Sequence, residues 1–226
     1  MGGQVMTETF LWMARRKAEG ALAEPLKPYA GLLGEAFVAI DLSVGRLEGV
    51  DHPFGRVAAL VLIKARNLAL GCYSLSLDAL AQEAGALFRP LIECLELLMY
   101  FRLDPTRIQE ALEDRLPKAG VIAQRIDGKF KALRDFLNTH ASHLSVSSGA
   151  MAHLVDFNAG RLRAVQAHNN EVLRQNLGTL LAVLVWLAIE GANCMSVGSG
   201  VVDDAFGNRV EDMKRRALAL LDAGDP

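Results

Sequence analysis

The sequence predicts an all-α protein, a bundle of seven or eight helices with one irregular or β-hairpin insertion near residues 145–168. Three observations carry this reading. Apolar residues recur every three to four positions along most of the 226 residues, which is the spacing of a buried helix face. Proline and glycine fall between those stretches, at 25–28, 49–55 and 104–105, where they mark helix ends and turns. From 145 to 167 the helical period fails, and short alternating runs flank Asn158-Ala159-Gly160, the chemistry of a tight hairpin turn.

In chain order, residues 7–23 predict a first helix, with Thr7 or Thr9 as N-cap, an apolar side of Phe10, Met13 and Ala14, and a peripheral place outside a core spanning about 29–222. A second helix over 29–47 carries Leu33, Phe37, Ile40 and Val44. Residues 56–73 are apolar almost all round, which predicts a helix enclosed by others. The stretch 76–105 reads as one long helix with a kink near Pro90, because a proline ring clashes with the carbonyl four residues back. A helix over 106–127 follows, with a break expected at Pro117 and Gly120, and then another over 129–144. Helical pattern returns over 170–192 and is expected to end in a linker, GANCMSVGSG. The last helix, from Asp203 or Asp204 to Leu221, spaces Phe206, Val210, Met213, Ala217 and Leu220 on one side. That face could dock on the bundle or on a second subunit, and a homodimer through this helix is expected.

Composition bounds the function. With 51% apolar residues a sizeable core can be buried, so one helical domain covering 1–226 is expected. A net charge of −2 offers no electrostatic grip on a polyanion, and no DNA partner is expected. Cys72, Cys94 and Cys194 are odd in number and set among apolar residues, which suits reduced thiols in the cytoplasm. The longest apolar run, residues 177–189, is too short to span a bilayer, and no membrane partner is expected. Glycine-rich phosphate loops, Cys-x-x-Cys pairs and Gly-x-Ser-x-Gly elbows are absent, and no cofactor is expected.

Two polar groupings could carry chemistry. On the 76–105 helix, Asp78, Gln82, Arg89, Glu93, Glu96 and Tyr100 fall in one narrow arc. Arg89 and Glu93 stand at i, i+4, and Glu96 shares their face, so carboxylates could clamp a guanidinium. The ordinary reading is a structural ion-pair ladder; the other is a polar cavity lined by the seam. The second grouping is His140 and His143, at i, i+3 on the 129–144 helix, with His140 inside the arc of Leu133, Leu137 and Leu144. Either a core histidine bonded to a carboxylate or a metal pair completed by Glu93 or Glu96 fits that spacing.

Arg134-Asp-Phe-Leu-Asn-Thr-His140 resembles the arginine-to-histidine motif of the HEPN helical ribonucleases, which would imply RNA phosphodiester cleavage by Arg134 and His140. Leu87-Phe-Arg-Pro-Leu-Ile-Glu93, with Tyr100 and Asp104-Pro105 downstream and then Leu137-Asn138 and His143, resembles a family of uncharacterised bacterial all-helical proteins. That family pairs an Arg-Pro-Leu-x-Glu helix with a Leu-Ser-x-x-x-His segment, and this chain has Asn138 in place of the serine. The resemblance implies an all-α fold and singles out Arg89, Glu93 and His143, without implying a reaction. The expected function is therefore a binding or interaction module with a polar pocket formed by Arg89, Glu93, Glu96, Tyr100 and His143. The alternatives are a HEPN-type ribonuclease or a metal-dependent hydrolase using His140, His143 and Glu93.

Overall fold

The structure is a computed structural model and describes residues 13–140, 155–156, 158, 160–162, 168–201 and 203–223. Side chains at 136, 138–140 and 156 also lie outside the description. Among the described residues there are nine helices: α1 (Met13–Ala23), α2 (Lys27–Glu48), α3 (Pro53–Leu77), α4 (Ala81–Leu103), α5 (Ile108–Leu112), α6 (Ala119–Arg125), α7 (Lys131–His140), α8 (Asn170–Ser199) and α9 (Asp204–Asp222). A 3-10 turn, Pro105–Arg107, precedes α5. The protein is all-α.

Four long helices, α2, α3, α4 and α8, form the core, with α3 and α8 each packed on the other three, α9 laid on α2 and α8, and the short helices α5–α7 gathered over α3 and α4. α8 supplies much of that core: Leu177, Leu180, Leu181, Leu184 and Leu187 are all sealed from solvent. Two helices, α3 and α8, are long and apolar enough to cross a bilayer by length and composition, and 61% of the apolar window of α8 is buried inside the protein.

Several boundaries differ from the sequence expectation for local reasons. α3 runs on to Leu77, and the chain then turns through Ala79 in the left-handed region (φ 62°), so α4 begins at Ala81 and not at 76. Pro90 lies inside α4, which continues through it. The 106–127 stretch splits into α5 and α6 around residues 113–118, in the region of Pro117. On α1 the buried positions are Ala18 and Ala21, while Met13 is exposed; the proposed caps and Phe10 lie outside the described residues.

The largest correction concerns the expected linker after Ala192. It is helix, and α8 continues to Ser199, where Gly200 closes it in the left-handed conformation (φ 66°). The small residues serve close packing instead of a loop. A Cβ on Gly191 would stand 2.8 Å from Ser43 Oγ and 3.0 Å from Ser43 Cβ, so only glycine lets α8 approach α2 this closely. The hydroxyls of Ser196 and Ser199 donate back to the carbonyls of Ala192 and Met195, which satisfies them within the helix.

The insertion contains a minimal hairpin. Val155–Asp156 pairs antiparallel with Arg161–Leu162, with Val155 opposite Leu162, and Gly160 takes φ 60° in the intervening turn. The C-terminal helix opens on Asp203, whose carboxylate accepts from the Phe206 amide at 2.9 Å. Phe206, Val210, Met213 and Ala217 are buried against the bundle, so the apolar face once available for a second subunit is covered within the chain.

Candidate functional site

The polar seam of α4 divides into three consecutive arrangements, each held by a different part of the chain. At its first level Arg89 Nε donates to Glu93 Oε1 at 3.2 Å, and both side chains are partly exposed. This is an i, i+4 pair at the surface, worth a few tenths of a kcal/mol.

One turn on, the environment changes. Glu96 is 1% exposed, and Arg134 Nε of α7 stands 3.3 Å from its Oε1. Among the described residues neither oxygen of Glu96 finds a well-aligned hydrogen-bond partner, and neither does Arg134 Nε. Burial pushes the Glu96 carboxyl above the ordinary value of 4.5; the Arg134 charge opposes that rise and Glu93 adds to it.

At the third level Tyr100 is fully buried. Its hydroxyl donates to Glu110 Oε2 at 2.7 Å and accepts from Arg125 Nη1, tying α4 to α5 and α6. The Arg107 guanidinium lies 4.4 Å from the ring centroid while its Nη1 donates to the Tyr100 carbonyl at 3.2 Å. Burial, and then the Glu110 carboxylate, raise the phenol above its usual range.

The seam therefore exists, and the short helices that follow α4 close over its Glu96 and Tyr100 levels. Of the five residues expected to share a pocket, Glu96 and Tyr100 face inward and Arg89 with Glu93 forms a surface pair. His143 and the side chain of His140 lie outside the described residues. Among the described residues no group of three His, Cys, Asp or Glu side chains could hold a metal ion. Arg134 and His140 occupy one unbroken helix, α7, about 120° apart around its axis. Asp78, placed in the seam from sequence, instead caps the end of α3 and accepts from Arg15 Nε at 2.7 Å and Nη2 at 2.6 Å.

With this geometry in place the chain can be set against known proteins. No family model, curated protein or solved structure matches it. The structure must speak for the site, and it adds a pair that sequence reasoning missed.

Glu190, which follows the apolar run 177–189 directly, lies within α8 and is 2% exposed. Arg102 of α4 grips it with Nε to Oε2 at 2.5 Å and Nη2 to Oε1 at 3.3 Å. One turn further along α8, Cys194 is buried, and desolvation, reinforced by the Glu190 charge, pushes its thiol up to about 12. The signal in the sequence was a lone acid among leucines, which must find a cation. It carried no information about which cation.

Proposed function

We propose that this chain is a helical binding module whose recognition group is the Glu96–Arg134 pair, enclosed between α4 and α7. The observation that carries this reading is a buried carboxylate whose two oxygens have no well-aligned hydrogen bond among the described residues, beside a guanidinium N–H in the same condition. Buried polar groups are nearly always satisfied, and an unsatisfied one costs about 1–3 kcal/mol. Glu93–Arg89 and Tyr100–Glu110–Arg125 on either side are satisfied internally, so the deficit falls on one level of the seam.

The chemistry of the deficit defines the ligand. The pair is already balanced in charge, so the ligand is neutral. Glu96 offers acceptors and Arg134 Nε a donor, so the ligand presents an N–H donor beside a carbonyl acceptor, as a primary carboxamide does.

Thermal unfolding with acetamide and propionamide tests this. Ligand that binds only the folded state raises Tm with concentration. A shift is expected for wild type and not for Glu96→Gln, whose amide cannot offer two acceptors. The same variant checks the carboxyl. Because the folded value lies above the unfolded one, the folded state holds the extra proton between 4.5 and the raised value. Wild-type stability relative to Glu96→Gln should therefore rise as pH falls through that window. Absence of any amide-dependent shift in wild type leaves Glu96–Arg134 as a structural pair and sinks the binding reading.

A further inference from the structure

We infer that the outer face of α2 and α3 docks on a bilayer surface carrying anionic headgroups, with Leu60, Ile63 and Leu70 at the acyl boundary and Arg56 and Lys64 reaching the headgroups. This surface does not depend on a ligand at Glu96. From its composition α3 is expected to be enclosed, yet only 33% of its apolar window is buried. Leu60 is 66% exposed, and Ile63 and Leu70 are open to solvent as well. On α2, exposed Val38 and Leu42 flank Asp41, which pairs with Arg66, and so extend the same face. An apolar surface continuous over two helices marks a contact with protein or with membrane.

Charge selects between the two. α3 has no aspartate or glutamate in its 25 residues, in a chain whose net charge is −2. Its three cations border the exposed row. At 100° per residue Arg56 precedes Leu60 at one end, while Lys64 and Arg66 stand on opposite sides. Arg66 is answered by Asp41, with Nη2 donating to Oδ2 at 3.1 Å. Arg56 and Lys64 are exposed and make no ion pair among the described residues. The face is therefore apolar with an uncompensated positive border. Peripheral helices use that pattern to bury apolar side chains in the interface while arginine and lysine stems carry their charge out to anionic headgroups.

The same geometry disfavours protein occupants. Between the helices the Arg66 guanidinium lies 6.0 Å from the Phe37 ring centroid and joins Asp41 across the gap, so the valley where a partner helix would seat is filled. A second copy would bring the positive border onto itself, with no acid on α3 to answer it. Asn67 sits within the row. At a bilayer surface its amide meets ester carbonyls and headgroup water, whereas a dry protein contact would have to supply a partner.

Flotation of the full chain with mixed phosphatidylserine–phosphatidylcholine vesicles, beside pure phosphatidylcholine vesicles, tests the inference. Wild type is expected to float with the anionic vesicles, to stay behind with the neutral ones, and to be released as salt screens the headgroups. Arg56→Gln combined with Lys64→Gln should weaken the anionic binding by about 10-fold or more. Leu60→Gln combined with Leu70→Gln should abolish it, and Leu162→Gln, on the exposed hairpin, should leave it unchanged. Failure of wild type to float at any vesicle concentration overturns the inference. So does equal binding to neutral vesicles, or binding that survives both double variants. A wild-type dimer in sedimentation equilibrium that Leu60→Gln dissociates also overturns it, by assigning the face to a second copy. The replaced side chains on α3 are all exposed, and matching circular dichroism spectra check that lost binding is not lost fold. Should the leucine pair fail to fold, the charge pair decides alone.

Discussion

Glu190 is the residue whose surroundings differ most from its chemistry. Its carboxylate sits in the most apolar helix, 2% exposed, and depends on the bidentate grip of Arg102. Removing one member of a buried ion pair leaves the other charge stranded, at a cost of about 3–5 kcal/mol. Arg102→Ala should therefore lower unfolding free energy by about that amount in urea denaturation. Replacing both residues by leucine should recover most of the loss. A single variant within a few tenths of a kcal/mol of wild type would place water, not Arg102, as the partner of Glu190.

α8 shows how one element joins local preference to tertiary fit. Gly191 is a poor helix former, and alanine there would ordinarily help by about 1 kcal/mol. Here the added methyl meets Ser43 on α2 at 2.8–3.0 Å, so helix separation must increase. Gly191→Ala is expected to destabilise by about 1–3 kcal/mol, the usual cost of overpacking. Ser43→Gly combined with Gly191→Ala moves the small residue to the other helix, and should restore part of the loss in the same melting assay. Additive effects of the two changes would show that α2 and α8 do not meet through this contact.

At the scale of the whole molecule, the polar contacts that hold the 105–140 excursion over α4 among the described residues include Arg134 to Glu96 and the Tyr100–Glu110–Arg125 group. Its most exposed part is 113–118, where Arg115 and Lys118 offer trypsin sites between α5 and α6. Tyr100→Phe keeps the packing ring and removes the hydroxyl that links Glu110 to Arg125. Cleavage at these sites should become several-fold faster under native conditions, because local opening governs such proteolysis. An unchanged rate would mean that the excursion is held by its apolar contacts, Ile108, Ile122 and Leu137, alone.

The helices themselves were legible in the sequence because their signal is local. The spacing of Phe206, Val210, Met213 and Ala217 names the buried face of α9, and Leu91, Leu95 and Leu98 name that of α4. The seam of Arg89, Glu93, Glu96 and Tyr100 was equally readable, since side chains three or four apart share a helix face. Where glycine and serine were taken as punctuation, as after Ala192, the reading failed, because the same small residues also let helices touch.

Tertiary structure decided everything that depends on residues distant in sequence. It brought Arg102 to Glu190, Arg134 to Glu96 and Arg125 to Tyr100, and it sealed Glu96 while leaving Arg89–Glu93 at the surface. It also exposed Leu60, Ile63 and Leu70 on a helix whose composition alone called for enclosure. Periodicity tells which side of a helix is apolar. Only the packing of the other helices tells which apolar sides have been covered.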